Sequence, residues 1–160
     1  MAKIRATSPE SKLKRWKTMP AAELIHMATI NVQVGPMIEV GKGHKGTRIT
    51  ANVPSLTVTS DRLNATLATD DAADWLTVGD DGTALLDVRF TLETDDGAFI
   101  YVEYQGRGDM ATGLIATAPT FQTGDERYSW LNSVQAVAAG QLNGETGELV
   151  YELYEVQVSA

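Results

Sequence analysis

The sequence predicts an all-β protein, an antiparallel β-barrel with one short helical or irregular segment near residues 125–133, and three observations carry that expectation. Runs rich in Val, Ile, Thr and aromatic residues alternate with polar ones at a period of two, as in Leu85 to Phe90, where Leu86, Val88 and Phe90 share one face and Asp87 and Arg89 the other. Acidic or amide residues followed by glycine, at Asp80 to Gly82, Asp95 to Gly97 and Asn143-Gly144, are hairpin signals. Almost no stretch has helical periodicity; only Asp125 to Ser133 and Ser8 to Met19 could hold short helices. Closure into a barrel is favoured over an open sheet because it removes the unpaired edges of so many strands.

In chain order, Leu24 to Val40 alternates like a strand, with His26, Ala28, Ile30, Val32 and Val34 on one side and Met27, Thr29, Asn31 and Gln33 on the other. Gly35 and Pro36 interrupt it with a bulge or an edge position. Gly41 to Gly46 then turns into the strand that starts at Thr47. Its three glycines satisfy G-x-G-x-x-G, but a dinucleotide loop needs a helix behind it, and Thr47 to Val53 is β-branched, so a hairpin is the expectation. Further strands are expected at Arg62 to Thr69, Trp75 to Val78, Ala84 to Glu93, Ala98 to Gln105, Thr112 to Phe121, Val134 to Gln141 and Glu148 to Val158.

The 160 residues suffice for one domain with a single core, expected over residues 21–160. Residues 1–20 form a basic N-terminal arm: six Lys and Arg against Glu10 give +5, leaving −13 for the rest of a chain whose formal net charge is −8. That arm has neither an apolar stretch nor a small-residue cleavage site, so it reads as a surface arm rather than a targeting sequence. The acidic balance argues against nucleic acid as a partner, since phosphate backbones select a basic stripe. No apolar run approaches the length of a membrane span, and a cytoplasmic location is the simplest expectation. With no cysteine, disulfide and thiolate chemistry are excluded. His26 and His44 have no ligand spacing and no calcium-loop pattern is present, so no metal and no cofactor is expected.

Five segments together resemble the DUF3237 family, also called UPF0311. They are Ala73 to Trp75, Leu85 to Phe90, Thr94 to Val102, Ala118 to Asn132 and Val150 to Val156. Ahead of them the chain departs from the family pattern, having Asn52 to Trp75 without the glycines that usually precede the Asp-Trp turn. The resemblance implies an up-and-down or closely related β-barrel, often associated into oligomers. The implied fold is similar to those of allene oxide cyclase and the spirotetronate cyclases, barrel enzymes that work without cofactors inside a lined cavity.

Two functions follow. The first is a cofactor-independent enzyme of isomerase, lyase or cyclase type, acting on a partly aromatic or apolar metabolite in the lumen. In it Asp74 or Asp87 is the base and Arg89 and Asn132 hold an oxygen that gains charge, while Trp75, Tyr101, Tyr128 and Trp130 shape the cavity. A carboxyl tucked beside an indole, as Asp74 and Trp75 suggest, acquires a raised pKa. The second is a noncatalytic ligand-binding or scaffolding barrel. Asp87 and Arg89 either line the lumen or form a solvated pair, and the segment Glu126 to Asn132 is either a cavity mouth or a plug. A homo-oligomer is expected, through a surface bearing Tyr151, Tyr154 and that segment.

Overall fold

The computed structural model describes residues 19–160. The basic arm and the helix expected over 8–19 thus lie outside the described residues, apart from positions 19 and 20.

Twelve strand segments close into an eight-stranded antiparallel barrel, because four of the staves are broken in the middle. The first stave joins β1 (Ala21–Gln33) to β2 (Met37–Gly43) across Gly35-Pro36. The second joins β3 (Gly46–Asn52) to β4 (Ser55–Thr59) across Pro54, and the third joins β5 (Ala65–Leu67) to β6 (Ala73–Val78). β7 (Thr83–Thr94) and β8 (Phe99–Asp109) are long and unbroken, and β9 (Leu114–Thr117) and β10 (Thr120–Gln122) are separated by Pro119. A 3₁₀ segment over Glu126–Ser133 leads to β11 (Ala136–Leu142) and β12 (Glu148–Ser159). Each stave pairs with the next, and β12 returns to β1 from Ala21↔Ser159 to Gln33↔Glu148. Three of the breaks fall at prolines, Pro36, Pro54 and Pro119, where a ladder donor is missing.

The predicted turns hold, with adjustments. Gly82 and Gly97 take positive φ, as their hairpins require, whereas in the last hairpin the left-handed residue is Gly147 rather than Gly144. There the Asn143 side chain accepts the amides of Glu145 and Thr146, widening the loop. The segment from Arg62 is not strand at its start. Ser60 Oγ accepts the amides of Arg62 and Leu63, and the Asn64 side chain bonds both backbone groups of Ser60, so β5 begins only at Ala65.

In β1 the expected alternation fails at one point. The register shifts between His26 and Ala28, so Met27 and Ala28 are both buried and His26 is turned outward, bonded to Glu152 at 2.6 Å.

The lumen is filled unevenly. Inward-facing residues of β7 grow from Ala84 through Leu86 and Val88 to Phe90 and Leu92, while those of β8 shrink from Ile100, Val102 and Tyr104 to Gly106 and Gly108. Because the strands are antiparallel, the two small ends meet at Ala84↔Gly108. At the other end Leu63, Phe90, Leu92, Phe121, Leu131 and Leu153 pack solidly, and the 3₁₀ segment closes the barrel with Leu131 fully buried. Among the described residues no helix is long and apolar enough to cross a membrane.

Candidate functional site

The loosely filled end of the lumen is a cavity of about 430 Å³, within the size range of small-molecule sites. Its wall is aliphatic: Val32, Val53, Leu76, Leu86, Val88 and Leu149 contribute from four strands and the β3–β4 link. Asp74, Tyr104 and Tyr151 interrupt that wall from the strands, and Asp109 and Thr112 add polar groups where β8 turns into β9.

The register explains their convergence. Asp74 on β6 faces Val88 on β7, and Val88 faces Tyr104 on β8, so the carboxyl and the phenol flank one inward row. Tyr151 enters from β12, where it pairs with Ile30 on one side and Gly140 on the other. Its ring meets that of Tyr104 edge-on, with centroids 6.0 Å apart.

The β6–β7 ladder is interrupted between Asp74 and Thr77. Within this opening Asp74 Oδ1 accepts the backbone N–H of Asp87 at 3.0 Å, and the carbonyl of Trp75 accepts from the Arg48 guanidinium instead. Burial pushes the Asp74 carboxyl up to about 6, and the nearby Asp87 carboxylate adds to this, while the Asp87 amide and Arg48 oppose it. Burial also raises both phenols, Tyr104 well above the usual range. The Tyr151 hydroxyl is buried with no hydrogen-bond partner among the described residues.

Of the catalytic and ligand-binding residues expected from sequence, only Asp74 lines this cavity. Trp75 lies on the opposite face of β6 from Asp74, so the raised carboxyl owes nothing to an adjoining indole but to burial in the lumen. Asp87 and Arg89 face outward, with side chains 40% and 51% exposed and Arg89 Nη2 3.2 Å from Asp87 Oδ1. Their parity in β7 is opposite to that of Leu86, Val88 and Phe90, which fill the interior. Tyr101, on the outer face of β8, donates to Glu103 at 3.2 Å, and the Arg89 guanidinium lies 5.8 Å from the Trp75 ring centroid.

The 3₁₀ segment is the plug. Asn132 exchanges two hydrogen bonds with the backbone of Thr123, at 2.8 and 2.9 Å. Tyr128 donates to Asp96, and Trp130 lies beneath the Arg62 guanidinium, 3.8 Å from its ring centroid. None of the three reaches the cavity.

Tyr104 and Tyr151 are what sequence reasoning missed. Tyr104 had a signal, since it shares parity with Ile100 and Val102, ahead of two inward glycines. Tyr151 was expected on the surface, yet it is 2% exposed, because the parity of β12 places Leu149, Tyr151 and Leu153 inside.

These features define a class: a short antiparallel barrel, plugged at one end and hollow at the other, with a buried carboxyl and two phenols in an apolar chamber. Residues 22–156 match the family described as "Protein of unknown function (DUF3237)", and the chain belongs to it. A UPF0311 protein of Bradyrhizobium diazoefficiens is 25% identical over 153 residues, covering 86% of this chain and 98% of that one. A β-barrel like protein from Acinetobacter baumannii superposes with a TM-score of 0.79 at 27% identity, covering 89% of this chain and all of the other. An enzyme from Penicillium herquei shares the fold with a TM-score of 0.64 at 23% identity, over 89% of this chain and 98% of its own.

Proposed function

We propose that the chain is a cofactor-independent enzyme that moves a proton on a small, largely apolar metabolite held in the lumen, a reaction of isomerase, lyase or cyclase type. The observation that carries this reading is Asp74, a carboxyl raised to about 6 inside an apolar chamber of about 430 Å³. A base titrating near neutrality can take a proton from a substrate and return it to another atom of the same molecule, so the step needs no external redox partner. Tyr151, whose hydroxyl makes no hydrogen bond among the described residues and whose phenol is held in its protonated form, would donate to an oxygen that gains charge as that proton leaves. The Asp87 amide fixes one carboxyl oxygen, and among the described residues the other makes no hydrogen bond. In this scheme Asp74 keeps the role expected of it, and Asp87 contributes its backbone rather than its carboxylate.

The test incubates the protein with a metabolite extract in D₂O and compares wild type with Asp74→Asn by mass spectrometry. Deuterium incorporation or a new isomer seen only with wild type supports the proposal. Retention of a metabolite by both proteins without chemical change would leave a noncatalytic binding barrel instead. We further propose that the chain acts as a homo-oligomer, because Leu24, Ile25, Val150 and Val158 are exposed on the adjoining strands β1 and β12.

A further inference from the structure

The charge around the chamber selects its ligand. Among the described residues no Lys, Arg or His lines the cavity, whereas two carboxyls do, Asp74 within and Asp109 exposed at the end of β8. Asp109 accepts the Ala111 amide and the Thr112 hydroxyl, both at 2.9 Å, and these bonds hold its carboxyl below the usual range, so that part of the lining stays negative. Arg48, the cation that does influence Asp74, bonds the Trp75 carbonyl from β3, whose inward residues are Ile49 and Ala51. A carboxylate or phosphate on a ligand would therefore pass the exposed Asp109 and meet Asp74 in an apolar chamber, with no cation among the described residues to pair it.

The polar groups that remain ask for a specific neutral group. The Tyr151 hydroxyl makes no hydrogen bond among the described residues, with only the Tyr104 phenol beside it, while Asp74, once ionised, only accepts. A ligand hydroxyl answers both, accepting from Tyr151 and donating to Asp74; a hydrocarbon answers neither. The lining also includes the thioethers of Met37 and Met110, both about half exposed and able to adapt to different carbon skeletons.

From this we infer that the lumen takes an uncharged, hydroxyl-bearing apolar molecule, an alcohol, phenol or enol, and rejects organic anions. This rests on the proposed reading of the lumen as a ligand site.

Four probes with one carbon skeleton test it: 2-naphthol, naphthalene, 2-naphthoate and 2-naphthylmethylammonium, titrated into the full chain at about pH 8 and followed by ligand-observed NMR. Naphthol is expected to bind at least about tenfold more tightly than naphthalene. Naphthoate is expected to bind more than about 100-fold more weakly than naphthol. Tyr151→Phe should erase the advantage of naphthol and leave naphthalene unchanged. Naphthoate binding as well as naphthol, naphthol binding no better than naphthalene, or the ammonium binding most tightly would each overturn the inference while keeping a ligand site in the lumen. Failure of all four probes to bind would overturn the ligand-site reading itself, and the inference with it.

Discussion

Asp74 holds its carboxyl in the lumen by accepting the backbone N–H of Asp87 at 3.0 Å, a donor freed by the interruption of the β6–β7 ladder. A backbone amide cannot rotate away as a side chain can, so the carboxyl is fixed in place before any ligand arrives. The cost is a charge confined in an apolar chamber.

That cost sets a pH dependence. With the folded pKa near 6 against 3.8 ordinarily, the native state keeps a proton that the unfolded chain releases between about pH 4 and 6. Asp74 therefore contributes stability at low pH that is lost as pH rises through about 6, at most about 3 kcal/mol. Asp74→Asn, whose amide oxygen can still accept from Asp87, should gain on wild type by up to about 2 kcal/mol between about pH 4.5 and 8. Urea unfolding at the two pH values checks it; an equal difference at both would mean that Asp74 does not titrate abnormally.

Tyr151→Phe removes a buried hydroxyl that has no partner among the described residues, so stability should change by less than about 1 kcal/mol, in either direction. Tyr151→Ala instead opens a hole beside Tyr104 and should cost about 3 to 5 kcal/mol. Thermal or denaturant unfolding of the two variants separates the ring's contribution from the hydroxyl's. A loss of more than 2 kcal/mol in the Phe variant would show that the hydroxyl is already bonded.

Gly140 pairs with Tyr151, and a methyl group at Gly140 would fall onto the Tyr151 ring. Gly140→Ala should cost about 1 to 3 kcal/mol and displace the ring into the cavity. Combining it with Tyr151→Leu should cost less than the sum of the two single changes. Additive losses would place the strain elsewhere.

For the outward pair, Asp87→Asn and Arg89→Gln should each cost no more than about 1 kcal/mol, with a coupling of the same small order. A double-mutant cycle measures this directly. A coupling above about 3 kcal/mol would mean that the pair is desolvated, as in an assembled interface.

Light scattering at micromolar concentration should give a mass above the 17.3 kDa of one chain. A monomer would leave the apolar outer face of β1 and β12 without a symmetric partner.

The all-β class, most strands and the hairpins at Gly82 and Gly97 were legible in the sequence, because alternation and turn chemistry are local properties of a few adjacent residues. So was the family resemblance, which rested on short runs such as Leu85 to Phe90. Alternation also put Asp87 and Arg89 on one face together. Which face that was, it could not say, since parity assigns residues to two sides without naming the interior. Closure decided that: with Val88 between Asp74 and Tyr104 in the inward row, Asp87 and Arg89 had to point out. The bulge at Met27 shows the same limit, for it reverses the parity of His26 without any glycine or proline to announce it. The cavity depends on more distant matters still. It exists because antiparallel pairing sets the small end of β7 beside the small end of β8, and because β12, nearly fifty residues further on, swings Tyr151 in to meet Tyr104. Burial then shifts Asp74, and burial is a property of the closed barrel that no single stretch of the chain contains.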